Sequence, residues 1–240
     1  MSSLAYTEVL TGDLIQSRRL PVTVRKLLPA RLAAGLSALS KPLGAGASPP
    51  PARAACYEVS RGDSFQIVLE GGGLRAALFL MAFLEHGQPP AAPLVPRLAL
   101  GIGRAEYLEL LPQGGWEPVP RGYQADGDAF MRSGDLLEEL KRERRRVGVR
   151  SPWPEVDAEF RVACLFLDDV VRRWSTAQAA AVMMTLRGET QLRIARAHGV
   201  SQSAIAQRLR AAGIQAVEAL LSRCDSLLAA RAAGQTEPVV

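Results

Sequence analysis

Two aspartates in the first third of the chain, Asp13 and Asp63, are the residues best suited to bind a metal ion. Each follows a glycine, Asp13 at the end of a strand-like stretch and Asp63 in a hairpin-like turn. If the fold brings them together, they offer the one or two carboxylates that Mg²⁺ prefers alongside phosphate oxygens. The dipeptide recurs at 127–128 and 134–135. The alternative is therefore structural, with Asp13 capping a turn and Asp63 closing a hairpin.

Hydroxyl and guanidinium side chains accompany these carboxylates in the sequence. A guanidinium group can bracket two phosphate oxygens, and a serine hydroxyl can contact phosphate or metal. Ser17 and Ser64 have no histidine partner in the sequence pattern, so nucleophilic serine catalysis is not expected. A solvated surface role is the alternative for each arginine. The candidate nucleotide-binding residues are Ser17, Arg18, Arg61 and Ser64, with Arg121 as a further phosphate candidate.

The segment Gln191–Arg210 has the residue spacing of a helix-turn-helix. With Gln191 counted as the first residue, the fifth is Ala195, and a small residue is needed where two helices cross. The ninth is Gly199, which tolerates a left-handed backbone in the turn. Apolar residues at the intervening positions predict the seam between the helices: Ile194, Val200, Ile205 and Leu209.

In such a motif the second helix, here Ser201–Ala212, lies in the DNA major groove with its N-terminal residues at the base edges. Glutamine pairs with adenine through two hydrogen bonds, and a serine hydroxyl can form hydrogen bonds with several bases. Gln202, Ser203 and Gln207 are therefore predicted to contact bases. The other polar residues are predicted to contact phosphate or cap the helix. A motif used only for packing or dimerisation is the alternative. The predicted DNA-binding residues are Gln191, Arg193, Ser201, Gln202, Ser203, Gln207, Arg208 and Arg210.

The net positive charge is confined to the C-terminal part of the chain. Residues 170–240 contain nine arginines against four acidic residues, whereas residues 1–169 contain 20 basic and 20 acidic residues. The formal charge of +5 therefore belongs to the last 71 residues. A neutral body with a basic C-terminal part favours a polyanion as the partner of that part, because neutralised phosphates release counterions.

The elements before residue 150 alternate between strand and helix patterns. Alternation and β-branched residues predict strands, and apolar residues at helical spacing predict helices. The resulting order, β-α-β-β-α-β, is that of a split-βαβ or ferredoxin-like domain. The predicted elements are a strand Ala5–Ile15, a helix Leu20–Leu39 kinked or split at Pro29, a hairpin Cys56–Glu70, a helix Leu74–His86, a strand Arg97–Arg104 and a helix Asp126–Arg146 with a solvated basic end.

The sequence Ser151-Pro152-Trp153-Pro154 marks a boundary, and only helical patterns follow it. The fold class is therefore predicted as α+β, with a ferredoxin-like, palm-type domain at 1–150 and an all-α domain at 151–240. The helix-turn-helix occupies about 190–212. The predicted helices of the second domain are Glu155–Arg173, Thr176–Leu186, Thr190–His198, Ser201–Ala212 and Ile214–Ala232.

Several motifs resemble known families. Gln191–Arg210 resembles the helix-turn-helix of Cro-type phage repressors and region 4 of sigma factors. The two Gly-Asp turns resemble the palm of class III nucleotide cyclases, diguanylate cyclases and polymerases. More closely, TGDLIQSR, RGDSFQ, GIGR and DGDAF, followed by the helix-turn-helix, resemble the SatD family. That resemblance implies a palm-like domain with a DNA-binding tail.

Cyclase activity is not expected from this resemblance. Cyclases of this layout carry a helix whose asparagine and arginine stabilise the transition state. Aligned on that helix, this chain has Met131 and Asp135 instead. A thioether and a carboxylate cannot neutralise the negative charge that develops during phosphoryl transfer.

The remaining composition indicates a cytoplasmic protein. Cys56, Cys164 and Cys224 are odd in number and widely spaced, and with His86 and His198 they do not form a metal-binding pattern. The first residues lack a secretory signal pattern, and the sequence contains no unbroken apolar stretch of bilayer length.

The combined expectation is a dimeric transcriptional regulator that binds double-stranded DNA. Its front domain would sense or scaffold, with nucleotide and Mg²⁺ as candidate ligands and no membrane partner. One alternative is a Mg²⁺-dependent nucleotidyl cyclase or transferase localised by its tail. A third is an interaction module whose tail packs on a protein partner.

Overall fold

The structure of the chain, a computed structural model, describes residues 6–40, 54–60, 63–86, 92–104, 117–118 and 127–233. These residues form an α+β fold in which a mixed sheet has helices on both faces. Arg61 and Arg121, two of the candidate phosphate ligands, lie outside the described residues.

One sheet contains all the strands of the described residues. They are β1 (Thr7–Leu14), β2 (Ala54–Ser60), β3 (Ser64–Leu69), β4 (Pro96–Gly103), β5 (Glu117–Pro118) and β6 (Val147–Arg150). Their order across the sheet is β5-β2-β3-β1-β4-β6. The four central strands pair antiparallel, whereas β5 and β6 join the two edges in parallel. The sheet is therefore mixed, with β1 near its centre.

Strand β1 is buried on both faces, although only Val9, Leu10 and Leu14 of its eight residues are apolar. Val9 and Leu10 point to opposite faces and both are fully buried. A Cβ at Gly12 would lie 2.4 Å from Cζ of Phe65, so the ring packed over this position requires glycine. The glycine of the first Gly-Asp pair thus has a packing role.

One face of the sheet is covered by α1 (Val22–Arg25), α2 (Leu28–Ser40) and α3 (Gly73–His86). The predicted helix Leu20–Leu39 is split, as expected, and α2 begins one residue before Pro29. Proline is tolerated in the first turn of a helix, because an N–H group at that position would have no hydrogen-bond acceptor within the helix. Residues one turn apart on α2 are all buried in the core: Leu28, Leu32, Leu36 and Leu39.

The opposite face is covered by α4 (Asp128–Glu143), which ends earlier than the predicted Asp126–Arg146. Arg144 has a left-handed backbone, with φ of 57°, and terminates the helix. The chain then enters β6, a strand that was not predicted from the sequence. A segment of four residues is too short for the alternating pattern of a strand to be recognised in the sequence.

The basic run after α4 is not the solvated helix end that the sequence predicted. Arg145 and Arg146 are only 6% and 3% exposed. The guanidinium of Arg146 pairs with Glu85 of α3 at 2.5 Å, and its backbone N–H donates to Asp168. The prediction was wrong for Arg146, because Glu85, far away in sequence, pairs with its cation, whereas Arg144 is exposed as expected.

The C-terminal part consists of α5 (Pro154–Arg172), α6 (Thr176–Leu186), α7 (Gln191–His198), α8 (Gln202–Ala211) and α9 (Ile214–Ala233), close to the predicted bounds. Helix α6 packs against α3, so the apolar core runs from the sheet into the helices. The division into domains at residue 150 stays a prediction. No helix in the described part of the chain combines the length and apolar content of a bilayer span.

Candidate nucleic-acid interface

Helix α7 has a defined start and end. Thr190 caps its first turn, because its Oγ1 accepts a hydrogen bond from the backbone N–H of Arg193 at 3.3 Å. The helix ends at Gly199, whose φ of 62° is left-handed. The N–H of Val200 then donates to the carbonyl of Ala195 at 3.1 Å. This is the helix C-terminal geometry for which glycine is favoured.

Helix α8 starts two residues after this turn. Ser201 is the N-cap, and its Oγ accepts a hydrogen bond from the N–H of Ala204 at 3.1 Å. The hydroxyls of Ser201 and Ser203 are also 2.9 Å apart. Both serines are exposed. Ser201, predicted to contact DNA, therefore also fixes the beginning of α8.

The inner sides of α7 and α8 are apolar and buried. Ile194 and Ile205 are fully buried, while Ala195 and Leu209 are 3% and 2% exposed. The small side chain of Ala195 suits the contact between the two helices. Burial of these residues leaves the polar residues of α8 on its other side.

The predicted base-contacting residues are all exposed, Gln202 because it is the first residue of α8. Gln202, Ser203 and Gln207 are exposed, although Ile205 between them is fully buried. Of the predicted phosphate contacts, Gln191 and Arg210 are exposed and Arg208 is half-buried. The structure thus places this group of predicted residues on one pair of helices, where most of their polar side chains are exposed.

The charge around this helix pair is positive. Residues 187–212 contain five arginines and one acidic residue, Glu189. The side chain of Glu189 is 7% exposed, and it pairs with Arg193, whose side chain is 59% exposed, at 2.9 Å. Arg196 is exposed on α7 without an ion pair to any described residue. Cations therefore dominate the solvent-facing surface of this segment.

Two features of α7 differ from the sequence-based expectation. The sequence pattern predicts a half-buried His198 at the end of the helix, but this residue is exposed. Leu192 is 48% exposed near the start of the helix, and sequence reasoning did not single it out. Neither residue contributes to the seam between the two helices.

The first candidate metal ligand, Asp13, lies at the end of β1 opposite Arg97 of β4. Nη1 of Arg97 donates to both carboxylate oxygens, at 3.0 and 3.2 Å. Nζ of Lys141 from α4 lies 3.3 Å from Oδ2 of Asp13. Burial lowers the pKa of Lys141, but its contacts with Glu138 and Asp13 outweigh that effect and raise the pKa above its ordinary value. Asp13 is thus neutralised within the protein.

The second candidate ligand, Asp63, has a separate partner. Its Oδ2 accepts a hydrogen bond from Oγ of Ser17 at 2.6 Å. Ser17 is buried and Arg18 is exposed, while Ser64 is half-buried opposite Asp13. The structure brings Ser17 and Asp63 together and gives Asp13 a different set of contacts.

The contacts of Asp13 do not fit a Mg²⁺ ligand. A bound cation would need the oxygens that Arg97 and Lys141 already contact, and it would lie beside two positive charges. Within the described residues, no three His, Cys, Asp or Glu side chains are grouped to hold a metal. The paired-carboxylate Mg²⁺ site stays a prediction from the sequence.

A polar strip beneath α4 was not foreseen from the sequence. The hydroxyls of Thr11 and Ser133 lie 2.6 Å apart, and Nε2 of Gln66 donates to Oγ1 of Thr11 at 3.3 Å. The alternation of Thr11 and Asp13 along β1 is the signal that could have found it, because both face α4. Met131 and Asp135, in contrast, are exposed on α4.

The three cysteines are buried and unpaired. Burial raises the pKa of Cys56 to about 11 and that of Cys164 to about 12, and it also raises the pKa of Cys224. A buried thiol with a raised pKa is a poor nucleophile. These residues therefore pack in the core and offer no thiolate chemistry.

Comparison of the chain with protein-family models, with curated proteins and with solved structures gives no match. Function is consequently inferred from the geometry of α7 and α8 and from the sequence motifs themselves. Fold alone would be weak support in any case, because one fold hosts many functions.

Proposed function

We propose that this protein is a DNA-binding transcriptional regulator in which α7 and α8 form a helix-turn-helix. The observation behind the proposal is the exposure of Gln202, Ser203 and Gln207 on a helix whose apolar residues are fully engaged. The same segment carries a surplus of arginine, with five arginines and one acidic residue between 187 and 212. A duplex satisfies both features at once.

In the proposed complex, α8 lies in the major groove. Gln202 is at the first position of the helix, where base edges are within reach, and Gln207 follows a turn and a half later. Each glutamine can form two hydrogen bonds with adenine. Arg193, Arg208 and Arg210 contact phosphates, and Gln191 contacts phosphate from the start of α7.

The four central strands support a ferredoxin-like, palm-type assignment for the front of the chain. Their order, β2-β3-β1-β4, and the antiparallel pairing of every neighbour match a β-α-β-β-α-β domain. With the motif resemblance, this favours a regulator of the SatD type. We infer that this domain senses a ligand or mediates dimerisation.

A nucleotide is the proposed ligand of that domain, with Ser17, Arg18, Arg61 and Ser64 as its candidate contacts. The buried hydrogen bond between Ser17 and Asp63 favours a defined loop at this position. The alternative of a Mg²⁺-dependent nucleotidyl enzyme has weaker support, because Asp13 is already paired with Arg97.

The test of DNA binding starts with selection of a preferred duplex from a random library, followed by fluorescence anisotropy. The double variant Gln202→Ala/Gln207→Ala is expected to lose sequence preference while keeping weak, salt-sensitive binding. Each mismatched contact removes about 1–3 kcal/mol of discrimination. Gln215→Ala is the matched control, since Gln215 is an exposed glutamine on α9.

Two results would contradict the proposal. The first is failure of the wild-type protein to bind any duplex at low salt, which would favour a protein partner for the tail. The second is unchanged sequence preference in the double variant. Pyrophosphate release from a nucleoside triphosphate with Mg²⁺, abolished in Asp63→Asn, would favour the enzyme alternative.

A further inference from the structure

Helix α5 has an exposed apolar stripe that the proposed DNA-binding surface does not use. Val162, Leu165 and Phe166 are 56%, 49% and 70% exposed. Their spacing of three and four residues places them on one side of the helix. The other side of α5 is buried against the sheet and α3, so the stripe is a second apolar face of the same helix.

Charged residues bracket this stripe symmetrically. Arg161 lies four residues before Leu165, and Asp169 lies four residues after it. Both are exposed. Arg161 approaches Glu143 only at 3.5 Å with 66% of its side chain exposed, and Asp169 has no ion pair to another described residue. Leu165 therefore has a cation one turn before it and an anion one turn after it, and the exposed Arg172 and Arg173 follow further along.

We propose that the α5 stripe is the interface between two copies of this chain, packed as antiparallel helices about a two-fold axis at Leu165. That symmetry places Arg161 of one copy opposite Asp169 of the other, and it does so twice. Leu165 then meets its own symmetry mate, with Val162 and Phe166 beside it. The inference deepens the proposed regulator and rests on it, since two copies supply two reading helices for two half-sites.

Self-complementarity is the reason for choosing a second copy as the partner. A nucleic acid would not favour an apolar stripe that includes an exposed carboxylate. A parallel arrangement would place Arg161 beside Arg161 and Asp169 beside Asp169, which is repulsive. Only the antiparallel arrangement pairs opposite charges at both ends.

Cysteine cross-linking tests the position of the axis directly. All three native cysteines are buried, so Leu165→Cys introduces an exposed thiol that can meet its symmetry mate. Under mild oxidation, Leu165→Cys is expected to form a disulfide-linked dimer at low protein concentration. Met131→Cys is the control, because Met131 is 58% exposed on α4, away from the stripe. Equal cross-linking of both variants, or none in Leu165→Cys, would overturn the proposal.

A charge exchange provides an independent test by sedimentation equilibrium without DNA. Arg161→Asp is expected to weaken dimerisation at least tenfold, because the carboxylate introduced in each copy would face Asp169 of the other. Arg161→Asp/Asp169→Arg reverses both charges and is expected to restore most of the affinity. A wild-type monomer, or a double variant as weak as the single one, would overturn the interface. Because no DNA is present, these outcomes are separate from failure of the DNA-binding proposal.

Discussion

Asp13 at the end of β1 accepts two hydrogen bonds from Nη1 of Arg97, its direct neighbour on β4. Nε of Arg97 donates to the carbonyl of Arg145, so this guanidinium joins three segments of the chain. The side chains of Asp13 and Arg97 are only 13% and 11% exposed. The aspartate that the sequence marks as a metal ligand thus stabilises the junction between the sheet and the segment after α4.

The first prediction concerns this ion pair. Asp13→Asn keeps the side-chain volume but leaves Arg97 and Lys141 without their shared carboxylate. Removing one partner of a buried pair leaves an uncompensated charge, so the free energy of unfolding should fall by about 2–4 kcal/mol in urea titrations. Glu218→Gln, at an exposed position on α9, should change it by less than about 0.5 kcal/mol. Increased stability of Asp13→Asn would instead indicate carboxylate repulsion at a metal site.

The second prediction concerns Gly12 and its close contact with Phe65. Gly12→Ala places a methyl group where the Phe65 ring lies, at a separation of 2.4 Å. The buried ring has no room to move, so the variant should be destabilised by about 2–3 kcal/mol. Gly134→Ala is the matched control, because nothing lies within 4 Å of its added Cβ on α4. Alanine should stabilise that helix by about 1 kcal/mol. Similar unfolding midpoints for the two variants would contradict this account.

The third prediction concerns Glu8, whose Oε2 accepts a hydrogen bond from the N–H of Gly73 at 2.5 Å. Burial raises the pKa of Glu8 to about 7 despite that hydrogen bond, and the charge of Asp225 raises it further. A carboxyl with a raised pKa in the folded state stabilises the protein at acidic pH, and this stabilisation is lost as the pH rises to about 7.

Glu8→Gln should therefore remove this dependence. Relative to Glu8→Gln, the wild-type protein should lose about 2–3 kcal/mol of stability between acidic pH and pH 8, measured by urea unfolding at each pH. Glu218→Gln, an exposed change on α9, should follow the wild-type curve. Parallel curves for wild type and Glu8→Gln would show that the Glu8 pKa is not raised.

The sequence is most informative where structure depends on local pattern. The turn at Gly199, the cap at Ser201 and the split before Pro29 each follow from a residue with one strong backbone preference. The sequence did not predict β6 or the burial of Arg146. Arg146 is buried because Glu85 and Asp168 reach it, and these partners are 61 and 22 residues away. Contacts at such separations leave no periodic signal.

The candidate sites also differ in how far the sequence could predict them. The exposure of Gln207 follows from helical periodicity, and that of Gln202 from its place next to the Ser201 cap, so both could be assigned before the structure. The partners of Asp13 could not, because β4 and α4 supply them from 84 and 128 residues along the chain. A carboxylate beside a glycine has the same sequence pattern whether it binds a metal or an arginine.

The last prediction concerns the arginines near α8. Each phosphate contact contributes about 0.9 to the slope of log affinity against log salt concentration. Arg210 is exposed at the end of α8, so Arg210→Ala should reduce that slope by about one and weaken binding to all duplexes equally. Arg223→Ala is the control, because Arg223 is already paired with Glu159 at 2.9 and 3.1 Å. Anisotropy titrations over a range of salt concentrations measure both slopes. An unchanged slope in Arg210→Ala together with a reduced one in Arg223→Ala would move the phosphate contacts from α8 to α9.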